Sequence, residues 1–133
     1  MMNTHFKGLA HVAIYTNDLD NSIAFYEKIG GQLTDRASIF EPAGEKKLVL
    51  VDFGNFVLEL IQPPTPVEPT EGSIPHIAIY VDNVEQTAAA LKAAGVDTFF
   101  TEEKVVQPDV FGGCENWFFT GPCGEQIELL KML

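Results

Sequence analysis

Two histidines and two glutamates recur at matching places in the two halves of this chain. His11 opens the stretch HVAIYTNDLD, and His76 opens the similar stretch HIAIYVDNVE 65 residues later. Each half also carries a glutamate in an apolar run, Glu59 in FVLELIQ and Glu128 in EQIELLK. Imidazole nitrogens and carboxylate oxygens are ligands for divalent metal ions, and glutamate is also a common general base. The repeated pattern therefore makes these four side chains candidate metal ligands.

The alternation around these residues predicts which way they face. Val12 and Ile14 share one side of a strand and His11 lies on the other side, which is typical of a strand covered on one face. Glu59 and Glu128 likewise alternate with apolar residues that would pack on helices. Each half is therefore predicted to send one imidazole and one carboxylate to the same uncovered side.

A divalent metal ion is the predicted reason for this clustering. A single histidine on an apolar strand is more often a hydrogen-bonded core residue, and a single glutamate is usually an edge residue. Here the predicted uncovered face carries no lysine or arginine, and an unpaired buried carboxylate costs several kcal/mol. The predicted ligands are His11, Glu59, His76 and Glu128. With two waters they suit octahedral Ni²⁺, Co²⁺, Mn²⁺ or Fe²⁺, and Zn²⁺ is the alternative.

The elements that must position these residues are predicted twice in the same order, strand, helix and three strands. In the first half a helix begins after Asp18 or Asp20 and ends at Gly30-Gly31. The other predicted elements are the strands 32–40, 47–53 and 56–61, then the strand 75–81, the helix 84–94 and strands near 97–103, 115–120 and 125–131. We expect one α+β domain with a first module at 1–62, a proline-rich linker at 63–73 and a second module at 74–133.

Composition limits the partners. The chain has 133 residues, is 46% hydrophobic and has a mean hydropathy of +0.07, which predicts one globular domain. Its net charge of −11 makes nucleic acid and anionic membranes poor partners. No apolar run reaches the roughly 18 residues of a membrane span, and the opening residues lack a signal-peptide pattern, so we expect a cytoplasmic protein. The two cysteines, Cys114 and Cys123, are expected to be free thiols.

The repeated unit, the two histidine strands and the closing FTGPCGEQIELL resemble the vicinal oxygen chelate superfamily, in particular its glyoxalase I-like branch. The resemblance covers nearly the whole chain. It implies two tandem βαβββ modules that form a half-open eight-stranded barrel around a cleft. It draws the metal ligands from the first and fourth strands of each module, where His11, Glu59, His76 and Glu128 stand. It also implies a homodimer, in some members with modules swapped between subunits.

The resemblance further implies a metal-dependent lyase or isomerase of the lactoylglutathione lyase class. In that chemistry the metal chelates two adjacent oxygens of a small oxo substrate, which can be a thiol conjugate, and stabilises the enediolate left when a base removes a carbon-bound proton. The base in glyoxalase I is a glutamate of the metal site. By position it corresponds to Glu128, with Glu59 as the second candidate.

This chain departs from the glutathione-using pattern of that branch. Such enzymes typically have an arginine four residues after the first histidine and an asparagine four residues after the first-half glutamate, where Tyr15 and Pro63 stand here. Methylmalonyl-CoA epimerases usually carry glutamine in place of Glu59, and extradiol dioxygenases use two histidines and one carboxylate. Two alternatives remain: an epimerase-like isomerase, and a non-catalytic small-molecule-binding protein similar to bleomycin-resistance proteins, which commonly lack the four ligands.

The predicted substrate pocket is aromatic. Gly112-Gly113 lies in a long strand connection and is typical of a mobile lid. We predict that Tyr15, Phe111, Trp117 and Phe119 line an apolar wall beside the metal. Aromatic residues that alternate along a strand are equally typical of a core.

Overall fold

The computed structural model describes residues 5, 7–68, 72 and 74–133. The elements follow in the order β1 (Val12–Tyr15), α1 (Leu19–Lys28), β2 (Gln32–Glu41), β3 (Gly44–Asp52), β4 (Val57–Gln62), β5 (Ile77–Tyr80), α2 (Val84–Ala93), β6 (Val105–Gln107), β7 (Cys114–Thr120) and β8 (Gln126–Met132). The chain divides into two units, Met1–Val67 and Glu68–Leu133.

Each unit contains one four-stranded sheet and one helix. The strand order is β1-β4-β3-β2 in the first unit and β5-β8-β7-β6 in the second. In both units the first strand runs parallel to the last, and the remaining pairs are antiparallel. The predicted α+β class and the two tandem βαβββ modules are confirmed.

Both helices begin at a side-chain cap. The Asp18 carboxylate accepts a hydrogen bond of 3.1 Å from the Asn21 N–H, so Asp18 is the cap of α1. The Asn83 amide oxygen accepts one of 2.9 Å from the Gln86 N–H at the start of α2. α1 is followed by Gly30 at φ +107°, a conformation that favours glycine. Within the described part of the chain, no helix is long and apolar enough to cross a membrane.

The core of each unit lies between its helix and one face of its sheet. In the first unit Leu58 and Leu60 of β4 are 1% and 0% exposed, and Val51 of β3 is fully buried. In the second unit Ile127 and Leu129 of β8 are 1% and 3% exposed. The predicted alternation therefore holds, and the glutamate between each apolar pair lies on the opposite sheet face.

The strand predicted near 97–103 is wrong, and the second strand of the second unit is β6 instead. Phe99 makes only an isolated bridge with Phe119, and the regular pairing with β7 begins at Val105. The cause is ring packing: Phe99 lies 5.0 Å from Trp117 and 5.2 Å from Phe119 between ring centroids. Phe99 therefore packs against the core rings without forming a ladder, while its neighbours Thr98 and Phe100 are exposed.

The proline-rich connector is described only in part, because residues 69–71 and 73 lie outside the described residues. Its beginning is tied to the first unit by Asn17. The Asn17 amide donates to the Val67 carbonyl at 2.8 Å, and the Val67 N–H donates to Asn17 at 2.9 Å. This pairing holds the chain as it leaves β4.

Candidate metal-binding site

Each unit brings its histidine and its glutamate together. β1 and β4 are parallel neighbours with Ala13 opposite Glu59, and the Nε2 atom of His11 lies 3.3 Å from the Oε1 atom of Glu59. The second unit repeats this register, with Ala78 opposite Glu128. There the Nε2 atom of His76 lies 3.2 Å from the Oε1 atom of Glu128. Equivalent strands therefore hold equivalent pairs of side chains.

The spacing within each pair fits two ligands of one metal ion. With metal–ligand bonds of about 2.0–2.2 Å, adjacent donor atoms lie roughly 2.8–3.6 Å apart in octahedral or tetrahedral geometry. The distances of 3.3 Å and 3.2 Å fall in this range, and they also lie at or just beyond the long end of N–H···O hydrogen bonds, about 2.7–3.2 Å. An Nε2–H group of the histidine facing the carboxylate oxygen is the other arrangement that these distances allow.

Neither glutamate is neutralised by a lysine or arginine among the described residues. The lysine ion pairs lie elsewhere, Lys46 with Glu41 and Lys104 with both Glu85 and Glu115. Within residues 5, 7–68, 72 and 74–133, no group of three or more His, Cys, Asp or Glu side chains could hold a metal ion. Each unit therefore supplies two candidate ligands, and the four-residue set stays a prediction.

The pair in the second unit has polar and aromatic neighbours that the sequence did not single out. Asn116 of β7 donates a hydrogen bond of 2.9 Å to the Oε2 atom of Glu128 and another of 3.0 Å to the Gln107 side-chain oxygen. Phe118 lies directly opposite Glu128 and meets His76 edge-on at 5.1 Å, and Phe100 stacks on Phe118 at 5.7 Å. The β7–β8 register is the signal that places these residues, and sequence alone does not supply a register.

The pair in the first unit has apolar neighbours. Leu50 lies opposite Glu59, and Leu48 lies opposite Ile61 on the same sheet face. Tyr15 also pairs with Ile61 and is 59% exposed. Tyr15, the predicted pocket residue of this unit, therefore lies on the same face of the sheet as Glu59. Its role in a pocket stays a prediction.

Trp117 and Phe119 lie away from the metal ligands. They are 6% and 1% exposed, and they pair with Leu129 and Ile127, whose side chains pack toward α2. Because side chains alternate along a strand, they face the side of the sheet opposite Glu128. The predicted wall beside the metal is corrected accordingly: the aromatic residues on the Glu128 face include Phe118, Phe100 and Tyr80, which pairs with Leu130.

Phe111 stands apart from both groups. It is 86% exposed and has a φ of +49°, followed by Gly112 and Gly113 at +83° and +108°. A bulky residue with positive φ is uncommon, and it marks a tight turn here. The lid and the pocket role of Phe111 stay predictions.

Comparison with known proteins decides the family. The sequence matches the model of the Glyoxalase/Bleomycin resistance protein/Dioxygenase superfamily over residues 8–129. The chain belongs to this superfamily. It is 31% identical over 129 residues to the uncharacterized protein YwbC of Bacillus subtilis (strain 168), covering 94% of this chain and 98% of that protein.

Two further proteins are similar to this chain. The mitochondrial methylmalonyl-CoA epimerase of Homo sapiens is 31% identical over 106 residues, which cover 73% of this chain and 59% of the epimerase. The crystal structure of the glyoxalase family protein from Enterococcus faecalis superposes with a TM-score of 0.74 at 25% identity, covering 94% of this chain and 98% of that chain. The sequence-based resemblance is confirmed at the level of the superfamily.

Proposed function

We propose that this protein is a metal-dependent, glyoxalase I-like lyase or isomerase that moves a carbon-bound proton of a small oxo substrate. The single observation that carries the proposal is the duplicated pair, one imidazole nitrogen 3.2–3.3 Å from one carboxylate oxygen in each unit. The proposed ligands are His11, Glu59, His76 and Glu128. A cytoplasmic location and a homodimer are part of the same proposal.

The four proposed ligands would bind the metal ion, and one of the two glutamates would also transfer the proton. The four side chains would hold a divalent ion, Ni²⁺, Co²⁺, Mn²⁺, Fe²⁺ or Zn²⁺. When bound, that ion supplies the positive charge that stabilises negative charge developing on two adjacent substrate oxygens. A glutamate oxygen, of Glu128 or of Glu59, would accept the proton from one carbon and return it to the neighbouring carbon.

The substrate-facing wall proposed in the second unit is aromatic. Phe118 is partly exposed, and Phe100, stacked on it, is 52% exposed. Aromatic side chains beside polar groups give a pocket both contact area and orientation. We therefore expect the substrate to carry an apolar group next to its vicinal oxygens.

Metal analysis tests the first half of the proposal. The wild-type protein, purified without chelators, is expected to hold one of the five metals in stoichiometric amount, and Glu59→Gln and His76→Ala are expected to lose it. Lys46→Met, which removes a cation from a different ion pair, is the matched control. A protein that is free of metal and still binds aromatic ligands would instead support a sequestering function.

The reaction class needs its own assay. Hemithioacetals formed from methylglyoxal with glutathione and with other thiols are the first substrates to test, in buffer made with D₂O. Turnover is expected to place deuterium on the product carbon, because a proton held by the glutamate base exchanges with D₂O before it is returned. Absence of turnover with every thiol would contradict the glyoxalase-like activity.

An epimerase-like activity is the second candidate, favoured by the 31% identity to the human methylmalonyl-CoA epimerase. It would use the same ligands to remove and return a proton at a single carbon next to a thioester carbonyl. Conversion of one epimer of methylmalonyl-CoA into a mixture of both, with deuterium uptake from D₂O, would favour this reaction. Glu59 separates the two candidates in sequence, since the epimerase branch is expected to carry glutamine there.

A further inference from the structure

The two candidate metal-ligand pairs differ in what holds the glutamate. Glu128 is 8% exposed, and both of its oxygens have a partner: Oε1 faces His76, and Oε2 accepts a hydrogen bond from Asn116. Glu59 has His11 beside its Oε1 atom, and no hydrogen bond from another described residue reaches its carboxylate. Its side chain is also more exposed, 20% against 11% for Glu128.

The difference comes from one position in the duplicated sheets. Asn116 lies opposite Leu130, two residues beyond Glu128, and Leu48 lies opposite Ile61, two residues beyond Glu59. The two positions are therefore equivalent in register, with a hydrogen-bond donor in one unit and an aliphatic side chain in the other. A leucine in this place offers the carboxylate no partner.

The orientation of the Asn116 amide is determined by its neighbours. A carboxylate can only accept, so the NH₂ group of Asn116 must face Glu128. The second N–H of the same group donates to the Gln107 oxygen at 3.0 Å. Because both amide hydrogens are used and Asn116 is 8% exposed, its side chain cannot turn without breaking two hydrogen bonds in a buried place.

We propose that Asn116, oriented by Gln107, is a positioning residue that locks Glu128 as a one-oxygen metal ligand and leaves Glu59 free to turn. Partners of this kind orient metal ligands, and their loss typically weakens metal binding about 10-fold to 100-fold. The inference rests on the proposed metal-dependent function. In consequence the two glutamates have different roles. The locked carboxylate of Glu128 stays a metal ligand, whereas the carboxylate of Glu59 can turn and can also reach a substrate proton.

The test is a titration of the metal-free full-length protein with Ni²⁺ against a chelator of known affinity. Asn116→Leu, which copies the first unit, is expected to weaken Ni²⁺ binding about 10-fold to 100-fold. The reciprocal Leu48→Asn, which offers a donor to Glu59, is expected to tighten it. Thr120→Val is the matched control, because Thr120 lies on the same face of β7, opposite Gln126, and has no hydrogen bond to Gln107 or Glu128 among the described residues. It should leave the affinity within twofold of wild type.

Unfolding by urea, measured on the same samples, separates positioning from folding. Asn116→Ala replaces Asn116→Leu if the leucine variant does not fold. A folded Asn116 variant that binds Ni²⁺ within twofold of wild type would overturn the inference and leave the proposed function standing. A wild-type protein that binds none of the five metals would instead overturn the proposed function. Equal weakening by Thr120→Val and Asn116→Leu would also overturn the inference, since the effect would then belong to the strand.

Discussion

Two adjacent phenylalanines of β7 provide the sharpest test of which sheet face carries the site. Phe119 is 1% exposed and packs against Phe99 at a ring distance of 5.2 Å. Phe118 is partly exposed, beside His76 and opposite Glu128. Replacing each with alanine removes the same atoms from the two opposite faces of one strand.

The expected magnitudes differ several-fold. Phe119→Ala should lower the free energy of unfolding by about 3–5 kcal/mol, the usual range for a phenylalanine lost from a closed core. At an m-value of about 1.5 kcal/mol/M, this shifts the urea midpoint by roughly 2–3 M. Phe118→Ala should lower it by only about 1 kcal/mol, because part of its ring already faces water.

The functional readout should reverse this order. Phe118→Ala is expected to reduce kcat/KM in the hemithioacetal or methylmalonyl-CoA assay by about 2-fold to 10-fold, the effect of one lost aromatic contact. Phe119→Ala, assayed well below its unfolding midpoint, should keep kcat/KM near wild type. Equal destabilisation by the two variants, or a greater loss of kcat/KM from Phe119→Ala, would refute the assignment of faces.

Four further outcomes follow from the contacts described above. Gly31→Ala should destabilise the first unit by about 1–3 kcal/mol in urea unfolding, because its new Cβ would lie 2.9 Å from the Phe53 ring and 3.0 Å from the Tyr26 carbonyl oxygen. Asn83→Ala should lower stability by about 1 kcal/mol, while Asn83→Asp keeps the cap of α2 and stays near wild type. Hydrogen bonds and charge attraction between Lys104 and Glu85 raise the pKa of Lys104 and lower that of Glu85. Their stabilisation is therefore lost as the pH rises through the raised pKa of Lys104 or falls through the lowered pKa of Glu85, and Lys104→Met should flatten both ends of the stability–pH curve. In the hemithioacetal assay, Glu59→Gln at saturating metal should lower kcat about 100-fold or more, whereas Glu128→Gln should mainly weaken metal binding.

Most of the helices and strands could be predicted because they depend on interactions between residues that are close together in the sequence. Asp18 and Asn83 cap helices through their own side chains, and Gly30 supplies a φ that other residues avoid. The period-two alternation placed Leu58 and Leu60 in the core, since a strand's side chains must alternate between its faces. The strand predicted near 97–103 was wrong because the packing of Phe99 against Trp117 determined the conformation of this segment, and that packing depends on residues distant in the sequence.

The sequence by itself determined the duplication, the order of elements and the family. Repeated motifs and the alternation of polar and apolar residues can be recognised without knowing how the chain folds. It also identified His11, Glu59, His76 and Glu128 as candidate ligands. Only the tertiary structure decided that Asn116 and Phe118 accompany Glu128, whereas Trp117 and Phe119 belong to the core. The physical reason is register: which residues of β7 and β8 lie side by side depends on pairing between strands, and no single strand's pattern contains that information.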